Sequence, residues 1–82
     1  MRLKVRTVGE GQHPSEAVVE LNTADGSKEE LIVDKRSVES NRLKIGYPIS
    51  TDGNRLLVEL PRETVRGSWR VWVNKESVEG TA

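Results

Sequence analysis

Apolar residues recur at every second position along most of this chain, which is the spacing of β-strands rather than of helices. Turn residues interrupt the alternation repeatedly, so six short strands are predicted: Leu3–Val8, Glu16–Asn22, Lys28–Asp34, Leu43–Ile49, Arg55–Leu60 and Ser68–Asn74. The alternation directs one set of side chains toward the core, namely Leu3, Val5, Thr7, Ala17, Val19, Leu21, Leu31, Val33, Leu43, Ile45, Tyr47, Ile49, Leu56, Val58, Leu60, Trp69, Val71 and Val73.

Two Asp-Gly pairs, Asp25-Gly26 and Asp52-Gly53, lie between alternating runs and predict hairpins, because these residues tolerate the positive φ of tight turns. Segments 34–41 and 61–66 are polar, and each is long enough for a single helical turn. Since no segment carries a long amphipathic helical stripe, the predicted fold is all-β. We expect a small antiparallel barrel of five or six strands (SH3-like or a related β-sandwich) with short 3₁₀ turns between strands.

Three segments share one form: an apolar strand, three polar residues, then Ser or Thr, Val and a charged residue. They are 31–39, 58–66 and 71–79. We interpret each as a strand that leaves the sheet through a tight turn, after which Val38, Val65 or Val78 covers an open end of the core. Tandem ligand-binding loops are the alternative interpretation.

Two short segments resemble known families. Val71–Glu79 resembles the closing segment of SH3-like barrels, which implies a barrel shape. It implies no proline-peptide groove, because Tyr47, Trp69 and Trp72 are the only aromatic residues. Leu57–Glu63 is similar to the strand and Leu-Pro segment of AbrB-type swapped-hairpin DNA-binding proteins. That family continues into a helix, whereas this chain soon reaches a glycine and its final strand.

Composition limits the classes of function. The 82 residues include 13 basic and 13 acidic side chains, so the formal net charge is zero and no long-range field attracts a polyanion. There is no cysteine, and no apolar run is long enough to span a bilayer. With no secretory signal in the sequence, we expect a cytoplasmic protein with one domain over 1–79 and a frayed tail over 80–82.

Catalytic and metal-binding patterns are missing. The only histidine, His13, lies in a loop over 9–15 that is rich in Gly and Pro, and no nucleophile motif accompanies it. Asp25 and Asp52 are interpreted as turn-shaping residues rather than calcium ligands. We therefore expect no enzyme, no cofactor and no metal, although an enzyme that uses surface carboxylates stays open as a third class.

Apolar side chains on the outer faces of the predicted strands suggest a binding surface. Four apolar side chains alternate onto the outer faces of their strands, with two arginines at the rim: Trp72, Leu57, Ile32 and Val18, with Arg70 and Arg55. Three accounts compete for this outer patch. The sheet can curl so that both faces are buried, the patch can bind a protein or a second copy of the chain, or Trp72 can stack on a base. In the last account Arg2, Lys4, Arg6 or Arg70 would contact phosphate.

These observations lead to one main expectation and one alternative. The main expectation is a non-enzymatic interaction module that binds a protein partner or itself through the outer patch. The alternative is a small nucleic-acid-binding β-barrel or a swapped-hairpin DNA-binding protein, with Arg2, Lys4 and Arg6 as the contacts.

Overall fold

A computed structural model describes residues 1–80 and confirms an all-β fold. Its ten strands are β1 (Arg2–Lys4), β2 (Arg6–Glu10), β3 (Glu16–Asn22), β4 (Lys28–Asp34), β5 (Val38–Glu39), β6 (Arg42–Lys44), β7 (Ser50–Asp52), β8 (Arg55–Glu59), β9 (Arg70–Asn74) and β10 (Val78–Glu79). Single 3₁₀ turns, Lys35–Ser37 and Lys75–Ser77, lie between β4 and β5 and between β9 and β10. Most of the frayed tail predicted for 80–82 lies outside the described residues.

The strands form three antiparallel sheets. Their orders are β10-β1-β6-β5, β2-β3-β4 and β7-β8-β9. Both predicted Asp-Gly hairpins are present, joining β3 to β4 and β7 to β8. Within residues 1–80 no sheet closes on itself, so the barrel and its SH3-like form stay predictions.

The first five strands and the last five are two copies of one unit. Arg2-Leu3-Lys4-Val5 at the start of the first half reappears forty positions later as Arg42-Leu43-Lys44-Ile45. The middle hairpins have the same register: Val18 lies opposite Ile32 in the first half, and Leu57 lies opposite Trp72 in the second. The backbone hydrogen bond from Lys35 N to Ser15 O (2.8 Å) likewise has its equivalent from Lys75 N to Asn54 O (2.9 Å).

The two halves meet about a pseudo-twofold axis between β1 and β6. Leu3 lies opposite its own counterpart Leu43 in this antiparallel pair. The flanking hydrogen bonds are reciprocal, from Val5 N to Asn41 O and from Ile45 N to Met1 O, both 3.0 Å. The last strand of each half also pairs with the first strand of the other half, since β5 pairs with β6 and β10 with β1. The halves are therefore interlocked rather than merely adjacent.

The core lies between the sheets and contains most of the side chains that the alternation directed inward. Those confirmed as buried are Leu3, Val5, Ala17, Val19, Leu21, Leu31, Val33, Leu43, Leu56, Val58, Leu60, Val71 and Val73. Val38 and Val78 pack against this core at its edge, as the repeat interpretation predicted for its first and third copies. Each follows a 3₁₀ turn, and each then pairs with the facing leucine of the other half.

The prediction that Trp69 points inward is wrong. The residue is 53% exposed, because regular pairing in the last strand begins only at Arg70. Trp69 lies in a bend, where its carbonyl accepts a hydrogen bond from Leu60 N (2.8 Å). Strand alternation therefore does not extend to it, whereas Val71, Trp72 and Val73 follow the predicted parity.

Three other side chains predicted to point inward are exposed. Tyr47 is 77% and Ile49 is 46% exposed, because the predicted strand over 43–49 stops at Lys44 and pairing resumes only at Ser50. Thr7 is exposed because the register of β2 shifts between Thr7 and Gly9, which interrupts the alternation.

The prediction that Val65 covers an open end of the core is also wrong. Val65 is 73% exposed, and the buried side chain of that loop is Thr64. No 3₁₀ turn forms over 61–66. The loop instead bends at Gly67, whose φ of +91° is favourable for glycine and strained for other residues.

Candidate interaction surfaces

Two turns with the pattern Thr-x-x-Gly-Ser, one in each half, make contacts between the halves. They span Thr23–Ser27 and Thr64–Ser68, and each threonine hydroxyl accepts a hydrogen bond from the amide of its serine. Each turn also reaches across to the other half. Ala24 N donates to Trp72 O (2.8 Å), and Val65 N donates to Glu30 O (2.7 Å).

The predicted outer patch is divided between the halves. Val18 pairs with Ile32 in one sheet and Leu57 with Trp72 in another, and all four side chains are half-buried. The turn of the opposite half lies beside each pair, so the structure contains two grooves related by the pseudo-twofold axis. Both faces of these strands are therefore partly covered, which agrees in part with the account in which the sheet curls over its outer face.

The groove beside Trp72 is called here the arginine groove. Its lining side chains include Arg55, Arg66, Arg70, Glu29 and Trp72. The Arg55 guanidinium lies over the Trp72 ring, 5.8 Å from its centroid, at the distance of a cation–π contact. Sequence reasoning placed Arg55 and Arg70 at the rim of Trp72, and the structure brings them there.

Each arginine of the arginine groove already faces a carboxylate. Arg55 lies 3.0 Å from Asp52, Arg70 lies 3.4 Å from Glu59, and Arg66 lies 3.7 Å from Glu29. The carboxylate of Glu29 is buried, and within residues 1–80 its Oε1 has no hydrogen-bond partner. These ion pairs leave little free positive charge for an anionic ligand.

The equivalent groove beside Ile32 is called the tryptophan groove. It is lined by Ile32, Arg62, Glu63, Thr64, Val65 and Trp69. Trp69 and Val65 are the exposed apolar members, and Arg62 forms an ion pair with Glu16 at 3.5 Å. Sequence reasoning missed this groove because it assigned both Trp69 and Val65 to the interior.

A third surface, the basic face, is the outer side of the β1–β6 pair. Leu3 and Leu43 point inward, so their strand neighbours Arg2, Lys4, Arg42 and Lys44 point outward together. Of the predicted nucleic-acid contacts, Arg2 and Lys4 therefore lie on one surface. Arg6 belongs to a different sheet, where it pairs with Glu20 at 3.4 Å. Sequence reasoning missed Arg42 and Lys44, although the repeated Arg-Leu-Lys string was a usable signal.

Carboxylates flank the basic face on both sides. Glu79 lies opposite Arg2, and Glu39 lies opposite Arg42. The Arg42 guanidinium reaches Glu79 at 3.0 Å, and this hydrogen bond holds the pKa of the Glu79 carboxyl below its ordinary value. Arg2, Lys4 and Lys44 form no ion pair within residues 1–80.

In the described part of the chain, no histidine lines either groove. His13 is exposed, and the side-chain contact in its loop runs from its backbone N to Glu16 Oε1 (3.4 Å). Over residues 1–80, no group of three or more His, Cys, Asp or Glu side chains is arranged to hold a metal ion. The described chain also contains no helix long and apolar enough to cross a membrane.

Comparison with protein-family models, curated proteins and solved structures gave no match.

Proposed function

We propose that this chain is a non-enzymatic interaction module that binds a protein partner, or a second copy of itself, through the tryptophan groove. One observation carries the proposal: Trp69 is 53% exposed beside Ile32 and the 73% exposed Val65. Exposed aromatic side chains with an arginine at the rim are typical of protein-binding surfaces. Arg62 occupies that rim position.

The gain from covering Trp69 is large enough to matter. A tryptophan side chain buries about 150–250 Å² when fully covered, and apolar burial is worth about 25 cal/mol per Å². Covering the exposed half would therefore contribute about 2–3 kcal/mol before the cost of association. Val65 and Ile32 would add to this gain in the same contact.

The proposed contact residue is Trp69 rather than Trp72, which the sequence had favoured. Trp72 is half-buried, lies under Arg55 and is bonded through its carbonyl to the turn of the other half. The hydrogen bond from Ala24 makes Trp72 part of the contact between the halves, and Leu57 is its half-buried partner in the ladder. Trp69, by contrast, is 53% exposed.

The test compares Trp69→Ala with Tyr47→Ala. Tyr47 is a matched control because it is an exposed aromatic side chain outside the tryptophan groove. Sedimentation equilibrium over a concentration series measures self-association, and capture on the immobilised chain measures binding of other proteins. We expect Trp69→Ala to abolish whichever association is found and Tyr47→Ala to leave it intact. The proposal fails if Trp69→Ala changes neither.

A second candidate function, nucleic-acid binding, is favoured by the basic face. Four cations share one surface, and three of them, Arg2, Lys4 and Lys44, are exposed and offer contacts to phosphate that the neutral net charge of the chain did not predict. The exchange of β5 and β10 between the halves is compatible with a swapped-hairpin DNA-binding protein contained in one chain. Titration with a short oligonucleotide at low salt tests this candidate, and absence of binding there removes it.

Two finer expectations remain part of the proposal. They are closure of the sheets into an SH3-like barrel and a cytoplasmic location.

A further inference from the structure

We infer that the basic face is a backbone-binding site for double-stranded DNA, in which each half of the protein contacts one strand of the duplex. This inference rests on the second candidate function, and it adds the ligand, the residues and their symmetry. The residues are Arg2 and Lys4 from the first half and Arg42 and Lys44 from the second.

The pairing of β1 with β6 places like charges opposite each other. Arg2 lies opposite Lys44, and Lys4 lies opposite Arg42. The hydrogen bonds at Met1–Ile45 and Val5–Asn41 make these the non-hydrogen-bonded pairs of the ladder, where facing side chains are closest. Like charges directly opposite each other are destabilising. Both halves nevertheless carry the same Arg-x-Lys pattern, which points to a role outside the fold.

Nearby carboxylates neutralise the basic face only in part. Arg42 is engaged by Glu79, and Glu39 is the other acidic neighbour in the ladder. Lys4 and Lys44 have no ion pair within residues 1–80 and are exposed. Two lysines from equivalent positions are therefore free to contact a ligand. The arginines of the arginine groove, by contrast, all face carboxylates.

Symmetry selects a duplex over a single strand. The pseudo-twofold axis passes between Leu3 and Leu43, so Lys4 and Lys44 lie diagonally across it. Strand geometry separates their Cα atoms by about 8 Å, and their flexible side chains allow the two ammonium groups to reach phosphates on both sides of the roughly 6 Å minor groove of B-DNA. Local twofold axes in a DNA duplex relate its two antiparallel strands. One lysine can thus meet a phosphate on each side of the groove.

Lysine contacts of this kind read no sequence. A lysine head is a point charge, and contacts to phosphate fix position without distinguishing bases. Binding should therefore be weak at physiological salt, independent of sequence and steeply dependent on salt.

The experiment measures fluorescence anisotropy of a labelled 16-base-pair duplex with the full chain at several salt concentrations between 50 and 200 mM. Lys4→Gln and Lys44→Gln are each expected to reduce the slope of log K against log salt by about 0.9, and the double variant by about 1.8. Lys35→Gln and Lys75→Gln are the controls, because these exposed lysines also occupy equivalent positions but lie in the 3₁₀ turns. The two controls should leave the slope unchanged. Lys4→Arg keeps the positive charge and should give the same slope as the original chain.

The outcomes separate the inference from the function on which it rests. No binding to any oligonucleotide at low salt overturns both. Two outcomes overturn the twofold duplex site but not nucleic-acid binding. In one, binding depends on a single lysine; in the other, the separated single strand binds as tightly as the duplex. Circular dichroism of each variant verifies that the fold is unchanged.

Discussion

Replacing Thr64 with valine removes one hydrogen bond from a buried position without leaving a cavity. The Thr64 side chain is buried, and its Oγ1 accepts a hydrogen bond from Ser68 N at 3.0 Å. Valine has nearly the same volume, so the cost arises from the amide of Ser68, which is left without this acceptor. A buried polar group that loses its partner costs about 1–3 kcal/mol. Because Ser68 is only half-buried, we expect Thr64→Val to lower the free energy of unfolding by about 1–2 kcal/mol.

The equivalent substitution in the first half is the matched control. Thr23 Oγ1 accepts from Ser27 N at 3.2 Å, but that amide also donates to Asp25 Oδ1 at 3.0 Å. Residue 66, which corresponds to Asp25 in the second turn, is an arginine and offers no such acceptor. The Ser27 amide therefore keeps a partner in Thr23→Val. The substitution also removes the hydrogen bond that Thr23 Oγ1 donates to Asp25, but Asp25 is exposed and water can replace that donor. The cost of Thr23→Val should therefore stay below about 1 kcal/mol.

Urea unfolding followed by circular dichroism measures both variants. For a domain of this size, a difference of 1 kcal/mol corresponds to a shift of about 4–8 °C in Tm, so thermal melts provide a second readout. The reasoning is refuted if Thr64→Val is neutral or if Thr23→Val costs as much. Equal losses would mean that Asp25 does not compensate for the lost Thr23 hydroxyl.

Further predictions concern the core, the tryptophans and acid stability. Leu3→Ala and Leu43→Ala should each cost about 2–5 kcal/mol in urea unfolding, because both side chains are fully buried at the axis; a neutral result for either contradicts their equivalence. Iodide should quench the fluorescence of Trp69 in Trp72→Phe more strongly than that of Trp72 in Trp69→Phe, and the reverse order contradicts the assigned exposures. Hydrogen bonds from Thr23 and then Ser27 lower the pKa of Asp25, and a hydrogen bond from Arg42 lowers that of Glu79, relative to ordinary values of 3.8 and 4.5. A carboxyl group whose pKa is lower in the folded state stabilises the fold when the pH lies above its ordinary pKa. This contribution is lost as the pH falls through the folded-state pKa. Stability in urea should therefore decline below about pH 4.5, less steeply in Asp25→Asn and Glu79→Gln, and a rise on acidification would exclude this origin.

Strand alternation predicted the core wherever ladder pairing is regular. Val19, Leu31 and Val58 lie in uninterrupted strands, and the parity of these residues follows from the pattern alone. Trp69 lies at a bend, Tyr47 lies where the predicted strand is broken, and Thr7 lies at a register shift. At such places period two no longer describes the backbone, and hydrophobicity alone does not reveal the break.

The candidate surfaces were less accessible from the sequence. Trp72, Leu57, Ile32 and Val18 were predicted to form one outer patch, but they pair in two different sheets. The grooves beside Trp72 and Ile32 depend on how the turn of one half lies against the other half. The basic face depends on the pairing of β1 with β6, which joins residues forty positions apart. Pattern reasoning along one strand contains no information about which distant strand becomes its neighbour.

Every surface described above depends on the two halves meeting through β1 and β6 in the stated register. Nuclear Overhauser effects between α-protons test that pairing directly, because they are strong between residues of a non-hydrogen-bonded antiparallel pair, where the Cα atoms are about 4.5 Å apart. In the isotopically labelled full chain, we predict such cross-peaks between Arg2 and Lys44 and between Lys4 and Arg42. Their absence, or cross-peaks that pair Arg2 or Lys4 with other residues of this segment, would contradict the interlocked halves and the basic face together.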